Sequence, residues 1–128
     1  MRSEQQEALD KGINLFNERR YFEAHEEWES EWRLMSDSDD RTFFQGLIFA
    51  AGSFLHYVRQ ECAGARELLE KSIEYLRSGI EDHPDVNVGE FVGRLERLRE
   101  RFSACTFDMS PADLPLIRRN LVSIGKGD

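Results

Sequence analysis

His25, Glu29 and His56 are the side chains of this chain best suited to chemistry. A histidine and a glutamate at i and i+4 on a helix direct two ligand atoms to one point, and a histidine from a neighbouring helix can complete a two-histidine, one-carboxylate set. In that arrangement His25, Glu29 and His56 hold a divalent transition metal such as zinc, iron, manganese or nickel, and Glu26 serves as acid or base of a metal-dependent hydrolase. Without a metal, the same residues supply a general base, His25, oriented by Glu29 or Glu26, although no nucleophile or oxyanion donor is identifiable beside it. A third arrangement involves no reaction. His25, Glu29, Gln45 and His56 then form a closed hydrogen-bonded network that fixes the register of two helices.

Several motif tests separate these readings. The zincin pattern needs a histidine where this chain has Glu29, and the Glu-x-x-His di-iron pattern fails because Phe22 precedes His25 by three. The acidic run Asp37-Ser38-Asp39-Asp40 lacks the glycine and the final glutamate of a calcium loop. Neither a glycine-rich phosphate loop nor a Gly-x-Ser-x-Gly elbow occurs. The reading favoured is a non-catalytic binding or scaffold module with a buried polar network. A divalent-metal protein is the alternative.

Two helices must position these groups. With successive helical residues about 100° apart, Tyr21, Phe22, Trp28, Trp32 and Met35 fall on the same side as His25, and Glu29 lies close by. His25 and Glu29 are therefore expected in the middle of an apolar face, while Glu23, Glu27, Ser30 and Glu31 face water and Glu26 flanks. Trp28 and Trp32 are expected in the core, their indole N–H groups seeking partners such as Glu29. Gln45, Phe49, Gly52 and His56 share one stripe of the second apolar helix. Burying such groups without partners is costly, so the two stripes are expected to meet.

Six helices account for the chain, and no strand is needed. Ser3 with Gln6 reads as a capping box opening a first helix that ends near Arg19. A second runs from about Tyr21 to Met35, and the aspartates before Arg41 cap a third, about 41–60, that is apolar nearly all round. A fourth, about Ala63 to Ser78, stops at Gly79. After a turn at Pro84, Asn87 and Glu90 open a fifth with Phe91, Leu95, Leu98 and Phe102 inward. Ser110 and Pro111 begin a last helix carrying Leu114, Ile117 and Leu121, and Gly125 to Asp128 fray. The expected architecture is an all-α bundle: one apolar central helix surrounded by about five others, in a single domain spanning 1–128.

The segment Tyr21-Phe22-Glu23-Ala24-His25-Glu26-Glu27-Trp28-Glu29-Ser30-Glu31-Trp32-Arg33, then Phe44-Gln45-Gly46-Leu47-Ile48 and His56, resembles the signature of the domain of unknown function 309 family. Gly64 to Lys71 is similar to that family's next helix, so the resemblance covers roughly Ile13 to Leu76. It implies a small all-helical fold with a central helix, and it implies no activity, cofactor or catalytic residue.

Composition limits the partners. A net charge of −8 over 128 residues argues against nucleic acid, because phosphate binding needs a surplus of Lys and Arg. The longest uncharged run, Thr42 to Val58, holds Gln45, Ser53, His56 and two glycines, which suits a buried helix better than a membrane span. With no apolar leader after Met1, a cytoplasmic location is expected. Cys62 and Cys105, lacking CxxC spacing, are expected as reduced thiols. A small molecule or a protein remains as partner.

Overall fold

Gln5 closes the first turn of α1 (Ser3–Asn17): its Oε1 accepts the Arg2 backbone N–H at 3.1 Å. The cap therefore lies one residue earlier than the Ser3 and Gln6 pair suggested. The computed structural model describes residues 1–78, 83 and 85–120. Among these, five further helices follow: α2 (Tyr21–Trp32), α3 (Asp39–Val58), α4 (Cys62–Ser78), α5 (Val88–Arg97) and α6 (Arg99–Ser103). The described residues form an all-α fold, with no helix long and apolar enough to cross a membrane.

Side-chain oxygens at Ser38 and Asn87 set two of the helix starts. Ser38 Oγ accepts the Arg41 N–H at 3.1 Å and is the cap of α3; the aspartates expected there, Asp39 and Asp40, occupy its first turn instead, where their charge suits the helix N-terminus. Asn87 caps α5 through the Glu90 N–H, as its spacing suggested. The expected fifth helix is broken at Leu98, whose N–H reaches back only to Leu95 O, so α6 starts afresh at Arg99.

The expected last helix is absent from the described residues. Only a single 3-10 turn, Pro111–Asp113, forms. Leu114 precedes Pro115 and is held extended at ψ 152°, and proline supplies no N–H to continue a helix. Leu114 and Ile117 are nonetheless buried, and Arg119 makes an isolated antiparallel bridge with Val86. Gly79, Pro84, Leu121 and Gly125 to Asp128 lie outside the described residues, so the expectations placed on them do too.

The central position of α3 follows from its composition. It packs against α2 on one side and α4 on the other, while Phe54 receives Phe16 of α1 at 5.6 Å and Phe102 of α6 at 6.1 Å between ring centroids. Small residues bring α3 and α4 close. Ser53 Oγ donates to Ala65 O and Ser72 Oγ to Gly46 O, each at 2.7 Å and fully buried, so each serine satisfies its hydroxyl on the other helix. A Cβ on Gly46 would lie 2.7 Å from Leu76 Cδ2.

The cysteines correct the expectation of free thiols. Cys62, the first residue of α4, is disulfide-bonded to Cys105, their Cα atoms 5.4 Å apart across a sequence separation of 43. Spacing along the chain carried no sign of it, because the pairing depends on α6 returning to the start of α4. Cys105 sits just past α6 in the left-handed region, at φ 58°.

Candidate functional site

The wheel for α2 is centred differently from the sequence expectation. Its buried residues are Tyr21, Ala24 and Trp28, which lie about 40°, 100° and 60° to one side of His25 on an ideal helix. Phe22, which pulled the expected centre toward His25, is 53% exposed. His25 and Glu29 therefore stand at the edge of the packed face, with 29% and 28% of their side-chain surface open. Trp28 takes the middle, its indole N–H donating to Leu9 O at 3.4 Å rather than to Glu29.

The groups named from sequence divide into three places. His25, Glu26 and Glu29 converge, their nearest ligand atoms all within 4.8 Å of one another; His25 Nδ1 is 3.5 Å from Glu26 Oε2, and Glu29 accepts from Arg33 Nη2 at 3.1 Å. His56 does not join them. Its Nδ1 lies 2.7 Å from Glu61 Oε1, and its ring packs on α4, where a Cβ on Gly64 would stand 2.7 Å from Nδ1. The cause is local: Gln60 adopts φ 60° after α3 ends, which folds Glu61 back onto the last turn.

Gln45 lies in a third place, together with Trp32. The whole stripe Gln45, Phe49, Gly52 and His56 faces the flank of α4: Phe49 stacks edge-on against Tyr75 at 5.1 Å, Gly52 faces Leu68 and His56 faces Gly64. Thus the two polar stripes do not form one buried network. The stripe is instead the partly open seam of α3.

At one end of that seam a cavity of about 270 Å³ opens where α2, α3 and α4 come together. Trp32 contributes from α2, Arg41, Thr42 and Gln45 from α3, and Tyr75 from α4, and Asp37 and Ser38 of the preceding loop complete the lining. Arg41 lies over the Trp32 ring, 4.0 Å from its centroid. Trp32 Nε1–H and Arg41 Nε–H are both shielded from solvent and have no hydrogen-bond partner among the described residues. Ser38 and Thr42, by contrast, spend their hydroxyls on the first turn of α3 and on the loop before it.

Of this set the sequence singled out Trp32 and Gln45 and missed Arg41 and Tyr75. The available signal was the short acidic loop, which must bring the end of α2 and the start of α3 together and so places Arg41 against Trp32. A larger hollow, about 480 Å³, lies between α4 and α5, but its charged groups, Arg77 and Glu96, pair with each other. Its lining is otherwise apolar.

Two comparisons with known proteins give matches. Residues 9–68 match the family model described as "Domain of unknown function (DUF309)". The chain is also similar to "Uncharacterized protein YpuF" of Bacillus subtilis (strain 168), 31% identical over 70 residues, which is 55% of this chain and 40% of that protein. The match thus spans well under half the length of that relative. The family match takes in α2 and, from the cavity lining, Trp32, Arg41, Thr42 and Gln45.

Proposed function

We propose, from the geometry of the region that matches the domain of unknown function 309 family model, that the chain is a non-catalytic helical binding module. It captures a small polar molecule in the cavity where α2, α3 and α4 meet. One observation carries the reading: two buried N–H donors, on Trp32 and Arg41, are left without partners beside a cavity that Gln45 and Tyr75 also line. Buried donors without acceptors cost on the order of 1 to 3 kcal/mol each, and a small turn of the Trp32 and Arg41 side chains toward an acceptor bound in the cavity would recover that. The lining supplies donors and aromatic surface rather than a nucleophile and base pair, which suits capture more than turnover. The test is a thermal-shift screen of small polar fragments on wild type and on Gln45→Ala. Hits that raise the wild-type Tm and act weakly on the variant are expected. A screen whose hits stabilise both alike, or that yields none, overturns the reading.

A second reading has its own observation. His25, Glu26 and Glu29 present three ligand atoms at the partly open edge of α2, which supports divalent-metal binding there, with Glu26 rather than His56 as the third ligand. Arg33 competes for Glu29, so the site is expected to be weak. Calorimetric titration with zinc alone should show one equivalent bound, lost in His25→Ala. Equal binding by the variant rules this site out.

A further inference from the structure

We infer that the occupant of the Trp32 cavity is a small carboxylate; the inference rests on the binding reading above and adds the ligand's chemistry. Trp32 Nε1 and Arg41 Nε can only donate, and the Tyr75 hydroxyl and the Gln45 amide can donate as well. Among the described residues, no hydrogen bond engages the side chains of Gln45 or Tyr75, which line the hollow beside the covered, unpaired Trp32 and Arg41 N–H groups. Two of the four can only donate and the other two can do either, which favours a ligand rich in acceptors.

Charge narrows the class further. Arg41 is the cation of the lining, and a guanidinium fork matches the planar pair of carboxylate oxygens. Its side chain keeps 29% of its surface open, so the fork is reachable from solvent even though Nε is covered. Its ion pair within the protein is loose: Arg41 Nη1 is 3.8 Å from Asp37 Oδ1, and the Asp37 side chain is fully exposed. A screened partner in water holds little of the charge, leaving Arg41 available to a second carboxylate that sits in the hollow. Asp37 itself lines the cavity, but the first-turn acids Asp39 and Asp40 do not.

Size and surface complete the description. The indole of Trp32, the phenol of Tyr75 and the cavity of about 270 Å³ fit a compact ligand whose body is flat or aliphatic and whose carboxylate meets Arg41.

The test uses benzoate and its neutral counterpart benzamide, titrated calorimetrically at low and high salt into wild type, Arg41→Gln and Tyr75→Phe. Benzoate is expected to bind wild type at least about tenfold more tightly than benzamide, the margin expected of a hydrogen bond to a charged group. Arg41→Gln should erase that margin, while Tyr75→Phe, which keeps the ring, should retain it; circular dichroism confirms that both variants are folded. Equal affinity for the two probes overturns the carboxylate assignment and leaves the cavity as a binding site for a neutral acceptor. Benzoate binding that Arg41→Gln leaves unchanged places the anion elsewhere and overturns it as well. Failure of both probes to bind wild type refutes the inference, and the fragment screen then decides separately whether the cavity binds anything.

Discussion

The Arg41 guanidinium covers the Trp32 indole at 4.0 Å from the ring centroid, yet the N–H at the edge of that indole meets no acceptor among the described residues. The stacking joins the end of α2 to the first turn of α3 across the acidic loop and so forms one wall of the cavity. Its contribution to stability is small, because a partly exposed cation over a ring is worth about 0.5 to 1 kcal/mol. Arg41→Ala is therefore expected to lower unfolding free energy in urea by no more than about 1 kcal/mol. A loss above about 3 kcal/mol, the range of a broken buried pair, would mark Arg41 as structural.

Gly12 and Gly93 should respond to alanine in opposite directions. A Cβ on Gly12 would run into the indole of Trp28, which is fully buried and hydrogen-bonded to Leu9 O. Gly93 lies within α5 with nothing within 4 Å of such an atom. Gly12→Ala should cost about 1 to 3 kcal/mol through overpacking, whereas Gly93→Ala should gain about 0.4 to 1 kcal/mol from helix propensity and reduced unfolded-state freedom. Denaturant midpoints of the two variants check both signs.

Reduction of Cys62–Cys105 should be costly to the C-terminal half. The bond closes a loop of 43 residues, for which the chain-entropy argument gives about 4 kcal/mol. Adding dithiothreitol, or replacing both cysteines by serine, is expected to lower Tm by several degrees. Unchanged Tm would mean that the reduced chain already holds α6 against α4.

His83 gives the fold a pH dependence in the mildly acidic range. Burial lowers its pKa below the ordinary 6.5, against the opposing pull of Asp85 and Asp40, and Arg119 and the N-terminus push the same way as burial. The ring is stacked on Phe43 at 5.1 Å, and its Nδ1 accepts the Asp85 N–H, which requires the neutral form. Above pH 6.5 the folded and unfolded chains are alike at this residue; below it the unfolded chain takes up the proton first. Stability is therefore present at neutral pH and falls as pH drops through 6.5 toward the depressed folded value. Tm measured from pH 7.5 to 5 should decline less in His83→Phe than in wild type. Parallel profiles would show that His83 contributes nothing.

Much of the architecture was legible because apolar periodicity and caps are local. The near-continuous apolar run from Phe43 to Val58 marked α3 as central, and Asn87 with Glu90 marked the start of α5. The site was less legible because it depends on rotation and on contacts between distant segments. An error of about 65° in the centre of α2 put His25 and Glu29 in the interior instead of at its edge, and Phe22 alone caused much of it. The direction of the Gln45 to His56 stripe, toward α4, was set by Gly46, Gly52 and Gly64, whose small size matters only once the neighbouring helix is known. Pro115 carried the information that the last segment is extended, since Leu114 before it could not remain helical.

The most direct measurement follows the two indole N–H resonances in a nitrogen-edited NMR spectrum while a stabilising fragment or benzoate is added. Trp28 is bonded within the core and Trp32 is unpaired at the cavity, so the Trp32 resonance should move downfield and saturate while the Trp28 resonance stays in place. Movement of Trp28 alone, or of neither resonance at ligand concentrations that raise Tm, would contradict the assignment of this cavity as the binding site.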